Sequence, residues 1–187
     1  MWWLLRYFGH DKVSVLDGGL GAWKAAGLPV VSGTDDAEAV ATAPAVTFTP
    51  SPRPHLLATR DEIVATLPGS GNEGTVVVNA LDPATFAGTP ELNPYPRRGR
   101  IPGSVNLPLF TLLDPATGRF LPEEQLVEKL QEQGVLDADR AVTYCGGGIA
   151  ATLPAFAAFH AAGVEVAVYD GSLTEWTSDP SLPVEVG

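Results

Sequence analysis

A parallel α/β sheet flanked by helices on both faces is the fold class this sequence predicts, and three observations predict it. Short, fully apolar runs such as "GTVVVNAL" and "VEVAVYDG" read as strands of a buried parallel sheet. Between them stand segments with helical periodicity, "LPEEQLVEKLQEQGV" and "GIAATLPAFAAFHAAG". Strand and helix alternate from about Pro54 to the C-terminus, the arrangement that crossover connections in a parallel sheet require.

The elements follow in order. "ATRDEIVATL" carries Thr59 as an N-cap with Glu62 three residues on, a capping box that opens a helix. "GTVVVNAL" is a strand, and "PGSVNLP" is a second, shorter one. The next helix starts at Pro122, presents Leu126, Val127 and Leu130 on one face, and stops at Gly134. "RAVTYC" is a third strand. The helix after it, "GIAATLPAFAAFHAAG", is apolar enough to be mostly buried, with Pro154 about a turn inside it and expected to kink it. "VEVAVYDG" is the fourth strand.

Two segments match each other. "VSVLDGGLGAWKAAGLPVVSG" from Val13 shares with "VAVYDGSLTEWTSDPSLPVEVG" from Val166 an Asp-Gly turn, a tryptophan and a Leu-Pro exit in one order. Asp17-Gly18 corresponds to Asp170-Gly171, Trp23 to Trp176 and Leu28-Pro29 to Leu182-Pro183, which points to duplication. Each copy is expected to be a short buried strand, a tight turn and a one-turn helix. The first copy has only "WWLLRYFG", a helix tail ending at Gly9, and a few further residues before it. Residues 1–33 therefore read as the tail of a first domain, residues 34–53 as an extended Ala/Thr/Pro-rich linker in which "VTF" could add an edge strand, and residues 54–187 as the complete domain. Trp2, Trp3, Leu4, Leu5, Tyr7 and Phe8 must pack either on that domain or on a second copy of the chain.

The composition narrows the function classes. A net charge of −11 argues against nucleic acid or an anionic membrane as the main partner. No apolar run approaches the roughly 20 residues that span a bilayer. One cysteine excludes an internal disulfide framework, and together with the lack of a signal-peptide pattern it makes the cytoplasm the expected location. Against the acidic background "RRGR" (Arg97, Arg98, Arg100) is either a solvated loop or an anion site.

The single cysteine lies in "TYCGGGIAAT". Cys145 ends a strand and precedes a helix, at the sheet edge where ligands of parallel sheets bind. Three glycines allow the chain to curl so that several N–H groups converge, and the helix N-terminus adds its dipole. Both favour a thiolate, so Cys145 is a candidate nucleophile. The other reading is a β–α turn that simply needs glycine, beside a buried thiol. His10, His55 and His160 are too dispersed to suggest a metal, and no cofactor is called for.

"YCGGGIAAT", preceded by "GRIPGSVNLP" and followed by "VAVYDGSLTEWTSDPSLPVE", resembles the rhodanese family, and more narrowly the C-terminal domain of tandem-domain thiosulfate and 3-mercaptopyruvate sulfurtransferases. The resemblance spans about residue 45 to the end, and residues 1–33 resemble the end of the noncatalytic N-terminal domain. It implies transfer of sulfane sulfur from thiosulfate or 3-mercaptopyruvate through a persulfide on Cys145, cradled by the N–H groups of Gly146, Gly147, Gly148, Ile149 and Ala150, to cyanide or a thiol. A protein-binding or sulfur-relay module on the same fold is the alternative. Several family positions differ here. The loop carries neither a charge nor a hydroxyl, Thr85 stands where the family often has a substrate-binding arginine, and Arg100 replaces the usual histidine before Ile101-Pro102-Gly103. Arg97 and Arg100 are therefore the expected substrate ligands. An arginine six residues beyond the cysteine, which phosphatase chemistry on a related fold needs, is absent, since position 151 is alanine.

Overall fold

A computed structural model describes residues 1–32, 47–71, 74–90 and 94–187. The sheet has five strands: β1 (Leu57–Ala58), β2 (Thr75–Asn79), β3 (Val105–Asn106), β4 (Arg140–Tyr144) and β5 (Ala167–Tyr169). Their spatial order is β1-β5-β4-β2-β3, and every pairing is parallel. The four expected strands are present. The fifth, β1, was missed because "LLATR" is too short to show a strand period before the capping box begins.

Seven helices accompany the sheet among the described residues: α1 (Trp2–Tyr7), α2 (Gly19–Ala25), α3 (Arg60–Val64), α4 (Pro83–Ala87), α5 (Glu123–Glu132), α6 (Thr152–Ala162) and α7 (Ser172–Ser178). Alternate residues of the strands face opposite layers. Val78, Ala141, Cys145 and Val168 belong to one apolar cluster with Leu126 and Leu130 of α5, Ala155 and Ala158 of α6 and Trp3 of α1. Val77, Val142, Tyr144 and Tyr169 belong to the other, with Ile63 of α3 and Leu173 and Trp176 of α7. Helices thus cover both faces, as expected.

Local signals explain the helix ends. Thr59 Oγ1 accepts the Glu62 N–H at 3.2 Å, the first half of the capping box. The second half is replaced by a tertiary bond: Glu62 Oε1 receives Arg140 Nε at 2.7 Å and ties α3 to β4. The helix after Cys145 begins at Thr152, later than the periodicity suggested, because the preceding residues form the cysteine loop. Pro154 then falls in the first turn, where its missing N–H has no intrahelical partner to lose, so the expected kink has no cause.

The N-terminal segment packs on this same domain. Trp2 meets Phe156 edge-on at 5.0 Å, and Trp3 Nε1 donates to Leu56 O at 2.9 Å. The Arg6 guanidinium lies 3.9 Å from the Phe159 ring centre and pairs with Glu165. The chain at Ser51 and Arg53 returns along the end of α1, donating to Phe8 O and Tyr7 O. Most of the expected linker lies outside the described residues, as does Val46 of "VTF"; Thr47 and Phe48 are not in a strand.

Both matched segments keep one bond. Trp23 Nε1 donates to Pro29 O at 2.9 Å, and Trp176 Nε1 donates to Pro183 O at 2.7 Å. The strand expected in the first segment is not formed: Val15 and Leu16 are exposed and, among the described residues, have no neighbouring strand to pair with. A strand is stable only beside a partner, and the second segment has β4 and β1 on either side. No helix of the described residues is long and apolar enough to cross a membrane.

Candidate active site

Cys145 follows directly on β4 at the C-terminal edge of the central strands, and only 2% of it is exposed. The loop after it is held from one side by α7. Leu173 N–H donates to Cys145 O at 3.1 Å and Thr174 N–H to Gly146 O at 2.9 Å, with Thr174 Oγ1 on the same Gly146 oxygen at 2.7 Å. These are the donors a helix N-terminus leaves without intrahelical partners. A trans peptide places its C=O and N–H on opposite sides. Turning the two carbonyls toward α7 therefore turns the N–H groups of Gly146 and Gly147 away from it.

Ser172 is the centre of this support. Its hydroxyl oxygen accepts the N–H groups of Cys145 and Gly148, each at 3.1 Å, and its own proton goes to Tyr169 O at 2.8 Å. It is fully buried and has φ +49°, the one non-glycine with positive φ among the described residues. That conformation costs about 1–3 kcal/mol in a side-chain-bearing residue, offset here by three buried hydrogen bonds. The first matched segment has Gly19 at the corresponding place, with φ +56°. This glycine-to-serine difference between the copies is the sequence signal that could have marked Ser172.

The expected cradle is thereby modified. Gly148 N–H is committed to Ser172. Among the described residues the N–H groups of Gly146, Gly147, Ile149 and Ala150 make no hydrogen bond. Gly148 must be glycine: at φ +80° a Cβ would stand 2.4 Å from Asp170 Oδ1 and 2.6 Å from Asp170 O. At Gly146 a side chain stands in the way. A Cβ there would lie 1.9 Å from the Tyr95 hydroxyl oxygen. Tyr95 was not singled out from the sequence, where it is one residue in a proline-rich loop.

The two arginines expected to bind substrate are committed elsewhere. Arg97 donates to four main-chain carbonyls at the end of α7 and beyond: Thr177 O at 3.1 Å, Trp176 O at 3.1 Å, Asp179 O at 2.6 Å and Leu182 O at 2.6 Å. A helix C-terminus offers unpaired carbonyls, and a forked guanidinium matches several at once. Arg100 pairs with Glu185, donates to Gly187 O and lies 4.6 Å over the Phe86 ring. Their donors close the C-terminal segment onto the domain. Arg98 of the same cluster is exposed, makes no hydrogen bond or ion pair among the described residues, and lines an open cleft of about 550 Å³ with Pro90, Tyr95, Pro96, Arg97 and Val186.

Thr85 also acts locally. Its N–H and Oγ1 donate to the Asp82 carboxylate at 2.9 and 2.6 Å, capping α4. These bonds hold the Asp82 carboxyl below the usual carboxylate range. Tyr95 shifts the opposite way: burial, then the negative charges of Cys145 and Asp82, keep its phenol protonated above the ordinary tyrosine value.

A parallel sheet with one cysteine at the C-terminal edge, in a glycine loop braced by the next β–α turn, defines a class of α/β domain with a loop-held thiol. The comparisons place this chain within it: the rhodanese-like domain model matches residues 67–179, and the chain belongs to that family. The mitochondrial thiosulfate/3-mercaptopyruvate sulfurtransferase 1 of Arabidopsis thaliana is 32% identical over 99% of this chain and 52% of its own length. The 3-mercaptopyruvate sulfurtransferase of Rattus norvegicus is 36% identical over 94% of this chain and 56% of its own. The chain thus spans a little over half the length of these curated relatives. Among solved structures, the anaerobic ergothioneine biosynthesis enzyme from Chlorobium limicola shares the fold, with a TM-score of 0.81 at 24% identity over 100% of this chain and 44% of that one.

Proposed function

We propose that this chain is a sulfurtransferase whose carrier is a persulfide on Cys145. The observation that carries the reading is the loop itself: a lone buried cysteine followed by the N–H groups of Gly146, Gly147, Ile149 and Ala150, which no acceptor among the described residues occupies, in a chain about one-third identical to sulfurtransferases. Unoccupied N–H groups fixed beside a nucleophile are electrostatic preorganisation for a sulfur anion.

The chemistry has two stages. The Cys145 thiolate attacks the terminal sulfur of the donor and forms a sulfur–sulfur bond. With 3-mercaptopyruvate the carbon–sulfur bond breaks, its electron pair leaves as the enolate, and protonation gives pyruvate. With thiosulfate the existing sulfur–sulfur bond breaks and sulfite leaves. An acceptor thiolate or cyanide then attacks the outer persulfide sulfur and returns Cys145 as thiolate. The donor's anionic group enters by the cleft that Arg98 and Tyr95 line, Arg98 being the guanidinium of its cluster left to meet it.

Incubation with either donor, followed by intact-protein mass measurement, tests this. One added sulfur atom is expected on the wild-type chain and none on Cys145→Ala. No addition with either donor overturns the proposal. A second reading, sulfur relay to or from a protein partner, is favoured by Ile149, an apolar side chain 85% exposed on the cysteine loop itself. It predicts that Ile149→Ser slows transfer to a protein thiol more than it slows transfer to cyanide.

A further inference from the structure

We propose that Tyr95 is a specificity-determining residue of the sulfur-transfer site, which by filling the space against Gly146 with an uncharged phenol disfavours dianionic thiosulfate relative to a singly charged carboxylate donor of the 3-mercaptopyruvate type. This rests on the sulfurtransferase reading above and adds to it the choice between donors.

The geometry makes position 95 and the first loop residue share one volume. A Cβ on Gly146 would meet not only the Tyr95 hydroxyl oxygen at 1.9 Å but also ring carbons at 2.8 and 3.1 Å. A side chain at 146 would therefore have to displace the ring, and what the loop presents on this side is the phenol. The ring is held in place from the chain on either side of it. Pro94 and Pro96 flank it, and Arg97 is fastened by its four bonds to carbonyls from Trp176 to Leu182. A proline on each side and a guanidinium anchor two residues on restrict the backbone that carries the ring.

Charge points in the same direction. One oxygen of the Asp170 carboxylate would stand 2.4 Å from a Cβ on Gly148, and Asp82 is close enough to Tyr95 to help keep the phenol protonated. Arg97 and Arg98 both line the cleft, but the Arg97 donors are spent on main-chain carbonyls and Arg100 is tied to the C-terminal segment, which leaves Arg98 as the guanidinium with donors to offer an anion. One guanidinium with donors to offer, beside a neutral phenol, pairs with one anionic group better than with a dianion.

The test compares the rate of persulfide formation with 3-mercaptopyruvate and with thiosulfate, read by intact mass, for the full chain and its variants. Tyr95→Ala is expected to lower the ratio of the two rates, 3-mercaptopyruvate over thiosulfate, by fivefold or more; a smaller change overturns the proposal. Gly146→Ala is expected to slow both donors tenfold or more, and Tyr95→Ala/Gly146→Ala to return to within threefold of Tyr95→Ala, because the second change vacates the shared volume. No recovery in the double variant overturns the shared-volume argument. Tyr95→Phe keeps the ring and serves where Tyr95→Ala fails to fold: a ratio within threefold of wild type is expected, and a greater change assigns selectivity to the hydroxyl, overturning the role of the ring. If wild-type protein acquires no sulfur from either donor, the sulfurtransferase reading itself has failed, which a selectivity change cannot mimic.

Discussion

The hydroxyl oxygen of Ser172 lies 3.1 Å from the main-chain nitrogen of Cys145, and this bond fastens the end of β4 to the start of α7. The same oxygen holds Gly148 N–H, so a single side chain braces both sides of the cysteine loop.

Ser172→Ala leaves two buried N–H groups and the Tyr169 carbonyl without their partner. A loss of about 1–3 kcal/mol in urea unfolding is expected. Persulfide formation should slow as well, since the loop that frames the sulfur loses its brace. Unchanged stability would mean that water replaces the hydroxyl.

Gly148→Ala should be more disruptive than a surface glycine change. A Cβ at φ +80° is strained and also strikes Asp170, so a cost above about 1 kcal/mol is expected. Gly163→Ala is the comparison: φ is also positive, +68°, but nothing lies within 4 Å. The difference in unfolding free energy between the two variants measures the contact with Asp170.

Arg97→Lys separates anchoring from substrate binding. A lysine presents one point charge and cannot reach four carbonyls with fork geometry. The variant should lower the thermal midpoint while the donor KM stays within threefold of wild type. A large KM change at unchanged stability would restore Arg97 as a substrate ligand. Arg98→Ala is expected to behave inversely, raising KM with little effect on the midpoint.

Acid should release the N-terminal helix. Burial of Glu165 would raise its pKa, but bonds from Arg6 and His55 outweigh burial and hold it below the ordinary 4.5. A carboxylate lowered on folding adds stability that is present above its unfolded value and is lost as pH falls through the folded one. Docking of α1 should thus be complete above about pH 4.5 and weaken below it. Tryptophan emission reports this, because Trp3 is buried only while α1 is docked. In Arg6→Met the acid-dependent change should be smaller.

Much of the fold was legible in sequence. Val76–Val78 and Ala167–Tyr169 are apolar on both sides, and only a sheet covered on both faces accommodates that. The Thr59 cap, the Pro122 start and the Gly134 stop are local and were read locally. What failed was what depends on neighbours. Val13–Leu16 has the composition of a strand but, among the described residues, no strand beside it. β1 has too few residues to show a period and exists because β5 offers an edge.

The candidate site divides along the same line. Cys145 and its glycines are contiguous, so residue type and order alone determined a loop-held thiol at a sheet edge. Tertiary structure decided which groups surround it. Arg97 and Arg100 looked like an anion site because charge is visible in sequence, whereas the carbonyls that receive them come from about eighty residues away. Ser172, Asp170 and Tyr95 reach the loop from separate segments, and their roles arise from distance in space. Sequence specifies the thiol and the backbone freedom around it; the donors, carboxylates and phenol that surround it meet only when the chain is folded.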